Sequence, residues 1–154
     1  MYSHVLALHS LVRWLVLMLL LYSICRACVG YVNNKSFLKS DDRFRHWTAT
    51  MAHIQLMIGM VLYTQSPMVT NFWSDAGMIL KNWEQSFYGF IHIFLMFISI
   101  IFLTIGSAMA KRKALDRDKF KTMLIWFSVA LIIILIAIPW PFSPFSSRPY
   151  FRSF

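Results

Sequence analysis

Apolar residues gather into four stretches near the length that a bilayer demands, and most polar residues fall between them. A membrane helix needs about 20 residues at 1.5 Å rise per residue. Residues 5–30, 46–65, 87–110 and 121–140 meet that length. They predict an all-α fold, with four transmembrane helices in an up-down bundle forming one integral membrane domain over 1–154. The last stretch is the clearest, because 129–138 is an unbroken apolar run. The second is the most dilute: Thr48, Thr50, His53, Gln55 and Gly59 interrupt it. Small and polar residues of that kind suit a helix that faces other helices rather than lipid.

The punctuation between the stretches agrees. Ser40, Asp41 and Asp42 are expected to cap the second helix, and Ser66-Pro67 to close it, since proline cannot continue the hydrogen-bond ladder. Within the long connection 66–86, residues 78–83 are expected to form a short interfacial helix, with Trp73 and Trp83 at headgroup level. Pro139-Trp140-Pro141 begins a proline-rich, aromatic tail, 141–154, expected to run irregularly along the outer surface. The chain contains no internal repeat.

Composition sharpens this picture. Of the 154 residues, 58% are hydrophobic and 14% charged, and the mean hydropathy is +0.59. A soluble domain of this length would have too few charged groups to cover so much apolar side chain. Fifteen Lys and Arg against six Asp and Glu give a net charge of +9. Eleven of the fifteen basic residues flank or fill the first and third connections, so the excess reads as a topology signal and not as a nucleic-acid surface. By the positive-inside rule both termini lie outside, which in a bacterial inner membrane means the periplasm. The N-terminus lacks a basic n-region and a small-residue cleavage site, so no removable leader is expected. Cys25 and Cys28 form a C-x-x-C, but Val29 follows where covalent haem attachment needs a histidine. Helix packing is their expected role.

Three histidines, His9, His53 and His92, fall inside the apolar stretches. An imidazole in hydrocarbon is costly and usually has a partner, such as a metal, a haem iron or a buried acid. His9 and His92 are expected at similar depth near the outer face, on helices that lie diagonally opposite in an up-down bundle. Two imidazoles in that arrangement suit the axial positions of a haem b iron, a ligation that favours electron transfer because neither axial site is left for a substrate. Gln85, His92, Ser99 and Gly106 recur every seven residues and would line the haem slot, with Met96 one turn beyond His92. Arg13 sits one turn below His9, and no Asp or Glu occurs in any of the four stretches. It is expected either to pair with a haem propionate or an anionic lipid or quinone headgroup, or to snorkel to the outer surface, which its long side chain allows. His53 is expected to be a group near the cofactor, a proton relay to a quinone, or a third ligand; three histidines also suit copper or zinc. His4 and His46 lie at the membrane boundaries and are expected to be ordinary surface residues. No H-E-x-x-H, P-loop, G-x-G-x-x-G or G-x-S-x-G motif supports hydrolytic or nucleotide-driven chemistry.

The segments His9-Ser10-Leu11-Val12-Arg13-Trp14 and Ala52-His53-Ile54-Gln55-Leu56-Met57-Ile58-Gly59 carry a resemblance, together with His92 and the exit Ile138-Pro139-Trp140-Pro141-Phe142. They resemble small four-helix membrane proteins of Bacteroidetes-type bacteria that are commonly labelled cytochrome b-like. Similarity to cytochrome b561-type carriers is architectural only, and those usually hold two haems on four histidines. The resemblance implies a b-type haem protein passing electrons between a quinol and a partner, alone or within a larger membrane complex. The alternatives are a cofactor-free accessory subunit, a copper or haem transport or assembly protein, and a haem-dependent oxidase of a porphyrin precursor.

Overall fold

The structure is a computed structural model that describes residues 2–74 and 82–142. Regular structure among the described residues is entirely helical. The elements are α1 (Tyr2–Val32), α2 (Lys39–Gln65), α3 (Pro67–Ser74), α4 (Trp83–Arg112) and α5 (Asp116–Ala137). Three of them, α1, α4 and α5, are long and apolar enough to cross a membrane by length and composition. The described residues thus form five helices where the sequence predicts four membrane spans, and α2 falls short on hydropathy. The expected interfacial helix at 78–83 lies almost wholly outside the described residues, as does the tail from 143 onward.

α1 packs against α2 and α5, and α4 packs against the same two helices. α1 and α4 therefore face each other across the interior. α5 closes onto α1 and α4 through small residues. Phe120 seats its ring on Gly30 of α1, and Trp126 covers Gly106 of α4, so that a Cβ at either glycine would collide with an aromatic ring. Ala130 and Ala137 add flat, fully buried surface to the same helix.

The deficit of hydropathy in α2 has a physical cause in its pairing. Ser23 Oγ and Thr48 Oγ1 lie 2.8 Å apart, and the Gln55 amide donates to the carbonyl of His9 at 2.9 Å. At the helix start, Arg26 donates to Asp41 at 2.8 Å. Thr48, Gln55 and Asp41 of α2 are thus spent on α1, while Trp47, Ile54, Met57 and Val61 form an exposed apolar face.

Helix ends differ from expectation for identifiable reasons. α1 runs to Val32 and stops in a Schellman arrangement: Asn34 adopts a φ of 50°, and the Lys35 N–H donates to the Gly30 carbonyl at 3.0 Å. α2 begins at Lys39, seven residues before the predicted start, because the Asp41 carboxylate reaches back to the Leu38 N–H at 3.0 Å. Asp41 therefore acts from within the first turn and not as the cap itself. Ser66 ends α2 as expected, and Pro67 opens α3, where its missing N–H costs nothing. α4 starts at Trp83, capped by the Asn82 side chain. α5 starts five residues early at Asp116, with Asp116 and Asp118 in its first turn favoured by the helix dipole. It stops at Ala137, before the predicted 140, since Pro139 holds Ile138 extended at ψ 129°.

Arg45 ties α2 to α4. It is 4% exposed and donates to Asp42 at 2.9 Å and to the carbonyl and hydroxyl of Ser107 on α4. Arg45→Met should lower stability by about 1.5–3 kcal/mol, because it removes the charged hydrogen bonds to buried Ser107. Arg43→Met, at an exposed neighbour, should stay within about 0.5 kcal/mol of the parent. Thermal unfolding of both variants in mild detergent measures the difference.

Candidate functional site

A cavity of about 420 Å³ opens between α1, α2 and α4, floored by α5. That volume lies in the range of small-molecule and cofactor sites, roughly 300–1,000 Å³. His9 and Arg13 reach it from α1 and His92 from α4. Three of the four residues singled out in the sequence therefore share one cavity, and the two histidines come from facing helices.

Local backbone chemistry aims His92. Residues 87–91 form one π-helical turn, so the His92 N–H donates to the Phe87 carbonyl, five residues back. Such turns insert an extra residue and rotate the helix beyond it; they recur at functional sites. The turn is clamped from outside. Tyr63 on α2 donates its hydroxyl proton to the Gly89 carbonyl at 2.7 Å and accepts from the Trp73 indole at 2.8 Å. Phe72 on α3 lies directly against Gly89, where any Cβ would clash. Past the turn, His92 Nδ1 lies 2.7 Å from the Ala137 carbonyl at the end of α5. A carbonyl only accepts, so Nδ1 carries the proton, and in a neutral ring Nε2 keeps its lone pair. This second interaction of a ring nitrogen is the one that orients metal-ligating histidines. It also satisfies a carbonyl that the helix end leaves orphaned.

His9 is held differently. Its ring edge lies over Gly59 of α2, with Cε1 3.2 Å from the position a Cβ would take there. Its Nδ1 is buried and has no hydrogen-bond partner among the described residues. Gln55, one turn before Gly59, spends its amide N–H on the His9 carbonyl, and its Oε1 is likewise buried with no partner among the described residues. Each such atom costs about 1–3 kcal/mol unless something supplies the missing bond. Both belong to residues that line the cavity. Arg13 approaches Ser10 Oγ at 3.4 Å and stacks over Trp14 at 5.4 Å, a geometry that holds its guanidinium at the cavity wall. Deeper in, Met96 and Ser99 line the wall, so this part of the seven-residue seam faces the cavity. Gly106 of the same seam instead receives Trp126, and Gln85 is not among the lining residues.

His53 is placed elsewhere. It sits on an exposed face of α2, outside the cavity lining. Its Nδ1 donates to the Ala49 carbonyl at 2.7 Å, and Nε2 faces the Thr104 hydroxyl of α4 at 3.2 Å. Both ring nitrogens are occupied, Nδ1 within α2 and Nε2 in holding α2 to α4. Among the described residues no group of three or more His, Cys, Asp or Glu is placed to hold a metal ion. Cys25 and Cys28 are exposed free thiols on α1, and His4 and His46 are exposed.

Gln55, Gly59 and Tyr63 were not legible as site residues. A signal existed: Thr48, Ala52, Gln55, Gly59 and Leu62 recur every three or four residues and form the inward stripe of α2. His53 lies about 100° off that stripe.

The donor set fits a haem iron by its chemistry. Two imidazoles from facing helices border one largely apolar cavity, one with its Nε2 lone pair kept available, and an arginine stands beside them. Comparison with protein-family models, with curated proteins and with solved structures gives no match.

Proposed function

We propose that this chain is a four-helix membrane protein that holds one haem b between His9 and His92 and passes electrons through it. The observation that carries the reading is the convergence of the two histidines from α1 and α4 on a single cavity. Bound there, the haem would supply one-electron redox chemistry. The chain does the rest. His92, fixed by Ala137, would offer Nε2; His9 would offer its imidazole from the facing helix; Arg13 would offer a planar cation suited to a carboxylate. Apolar walls exclude water and so raise the worth of each charge nearby. A quinol as electron donor, and a membrane complex as the setting, belong to the same proposal and follow the resemblance to cytochrome b-like proteins.

α2 serves as the fourth span in this reading. Its exposed Trp47, Ile54, Met57 and Val61 suit lipid, and Thr48 and Gln55 turn inward. Both termini then lie on the periplasmic side of an inner membrane. With Cys25 and Cys28 replaced by Ser, a cysteine at Ser3 should react with a membrane-impermeant maleimide in spheroplasts, and a cysteine at Lys113 only after lysis. The opposite pattern would reverse the orientation.

The cofactor-free accessory subunit remains the second reading, favoured by the packing roles of two histidines: His92 caps α5 and His53 bridges α2 to α4. The absorption spectrum of protein purified in mild detergent separates the two. A Soret band, with split α and β bands on reduction, supports the haem; a colourless, well-folded protein supports the accessory role.

A further inference from the structure

A second concavity lies on the outer wall of the fold, between α1 and α2, and shares no lining residue with the cavity of His9 and His92. It is an open groove of about 480 Å³ with Leu15, Leu19, Phe44, Trp47 and Met51 along its length and Arg43 and Ser40 at one end. From Ser40 to Met51 the helix advances about 16 Å. That is close to one leaflet, half of the roughly 30 Å hydrocarbon core. The walls are apolar and the end is cationic, which is the chemical profile of a single lipid.

Charge at the end of the groove is not balanced among the described residues. Three arginines surround the start of α2, and two are committed: Arg26 to Asp41, and Arg45 to Asp42 and Ser107. Those pairings also use up both acids of this segment. Arg43 is exposed and makes no hydrogen bond or ion pair among the described residues, and Lys39 stands four positions before it. We propose that this groove binds one acyl chain of an anionic phospholipid, with the lipid phosphate against Arg43. The neighbouring Trp47, 53% exposed, has the amphipathic ring that favours the headgroup boundary. The inference rests on reading α2 as a membrane helix; it does not depend on the haem.

The test uses the full chain in vesicles of phosphatidylcholine doped with either brominated phosphatidylglycerol or brominated phosphatidylcholine at the same mole fraction. Bromine on the acyl chain quenches nearby tryptophan. The parent should be quenched more by the anionic lipid, and that excess should vanish in both Trp47→Phe and Arg43→Gln. It should persist in Arg112→Gln, which removes a charge at the far connection. Circular dichroism of each variant checks folding independently. Equal quenching by the two lipids in the parent would overturn the proposal, as would an excess that survives Arg43→Gln. Cross-linking of two chains through a cysteine at Trp47, unaffected by lipid charge, would assign the groove to a second copy instead.

Discussion

His9→Ala and His92→Ala should each abolish bound haem b, while His4→Ala and His46→Ala should leave the haem content within about a tenth of the parent's. The contrast follows from placement. His9 and His92 border one cavity from facing helices, whereas His4 and His46 are exposed. The two ligands should differ in how they fail. His92 also caps the Ala137 carbonyl, so His92→Ala should cost about 1–3 kcal/mol of stability besides the haem. His9 Nδ1 has no hydrogen-bond partner among the described residues, so His9→Ala should leave the protein itself closer to parental stability than His92→Ala does. His53→Ala should retain the haem and lose only the α2–α4 contact to Thr104. Haem content by absorbance and unfolding temperature of the same preparations test all five variants together. Equal haem loss from His4→Ala or His46→Ala would indicate a general folding defect and remove the assignment.

Arg13→Gln should lower the haem midpoint potential, and Arg13→Lys should shift it less. A positive charge near the iron stabilises the reduced, less positive state, so removing it favours oxidation. Gln removes the charge; Lys keeps it but lacks the planar fork that grips a carboxylate in two places. The expected shift for Gln is on the order of tens of millivolts, since even a partly screened charge in a site of effective dielectric near 20 is worth a kcal/mol or more. Spectra of both variants should retain the signature of two imidazole ligands. Redox titration monitored at the α band measures the shifts. Unchanged potentials in both variants at normal protein level would mean that the guanidinium faces the outer surface and has no role at the cofactor.

The helices were legible in the sequence because apolar runs of bilayer length are rare outside membrane spans. Helix ends were less legible, since they depend on single contacts. Asp41 reaching back to Leu38 lengthens α2, and Pro139 acting on Ile138 shortens α5. The convergence of His9 and Arg13 with His92 was readable from depth and helix order alone. The orientation of His53 was not, because depth says nothing of which way a side chain faces. Only the small and polar stripe through Thr48, Gln55 and Gly59 marks the inward face of α2, and it leaves His53 outside. Gln55 and Tyr63 act through a backbone carbonyl of another helix, His9 and Gly89 respectively. Such contacts leave no pattern in the residues themselves.

The most direct measurement of the central claim is the ratio of haem b to protein chain in material purified in mild detergent, taken from the pyridine haemochrome spectrum and quantitative amino-acid analysis. One pair of facing histidines on one cavity predicts one haem per chain. A ratio near zero in folded protein would contradict the account and leave the cavity to another ligand, and a ratio near two would require ligands beyond His9 and His92.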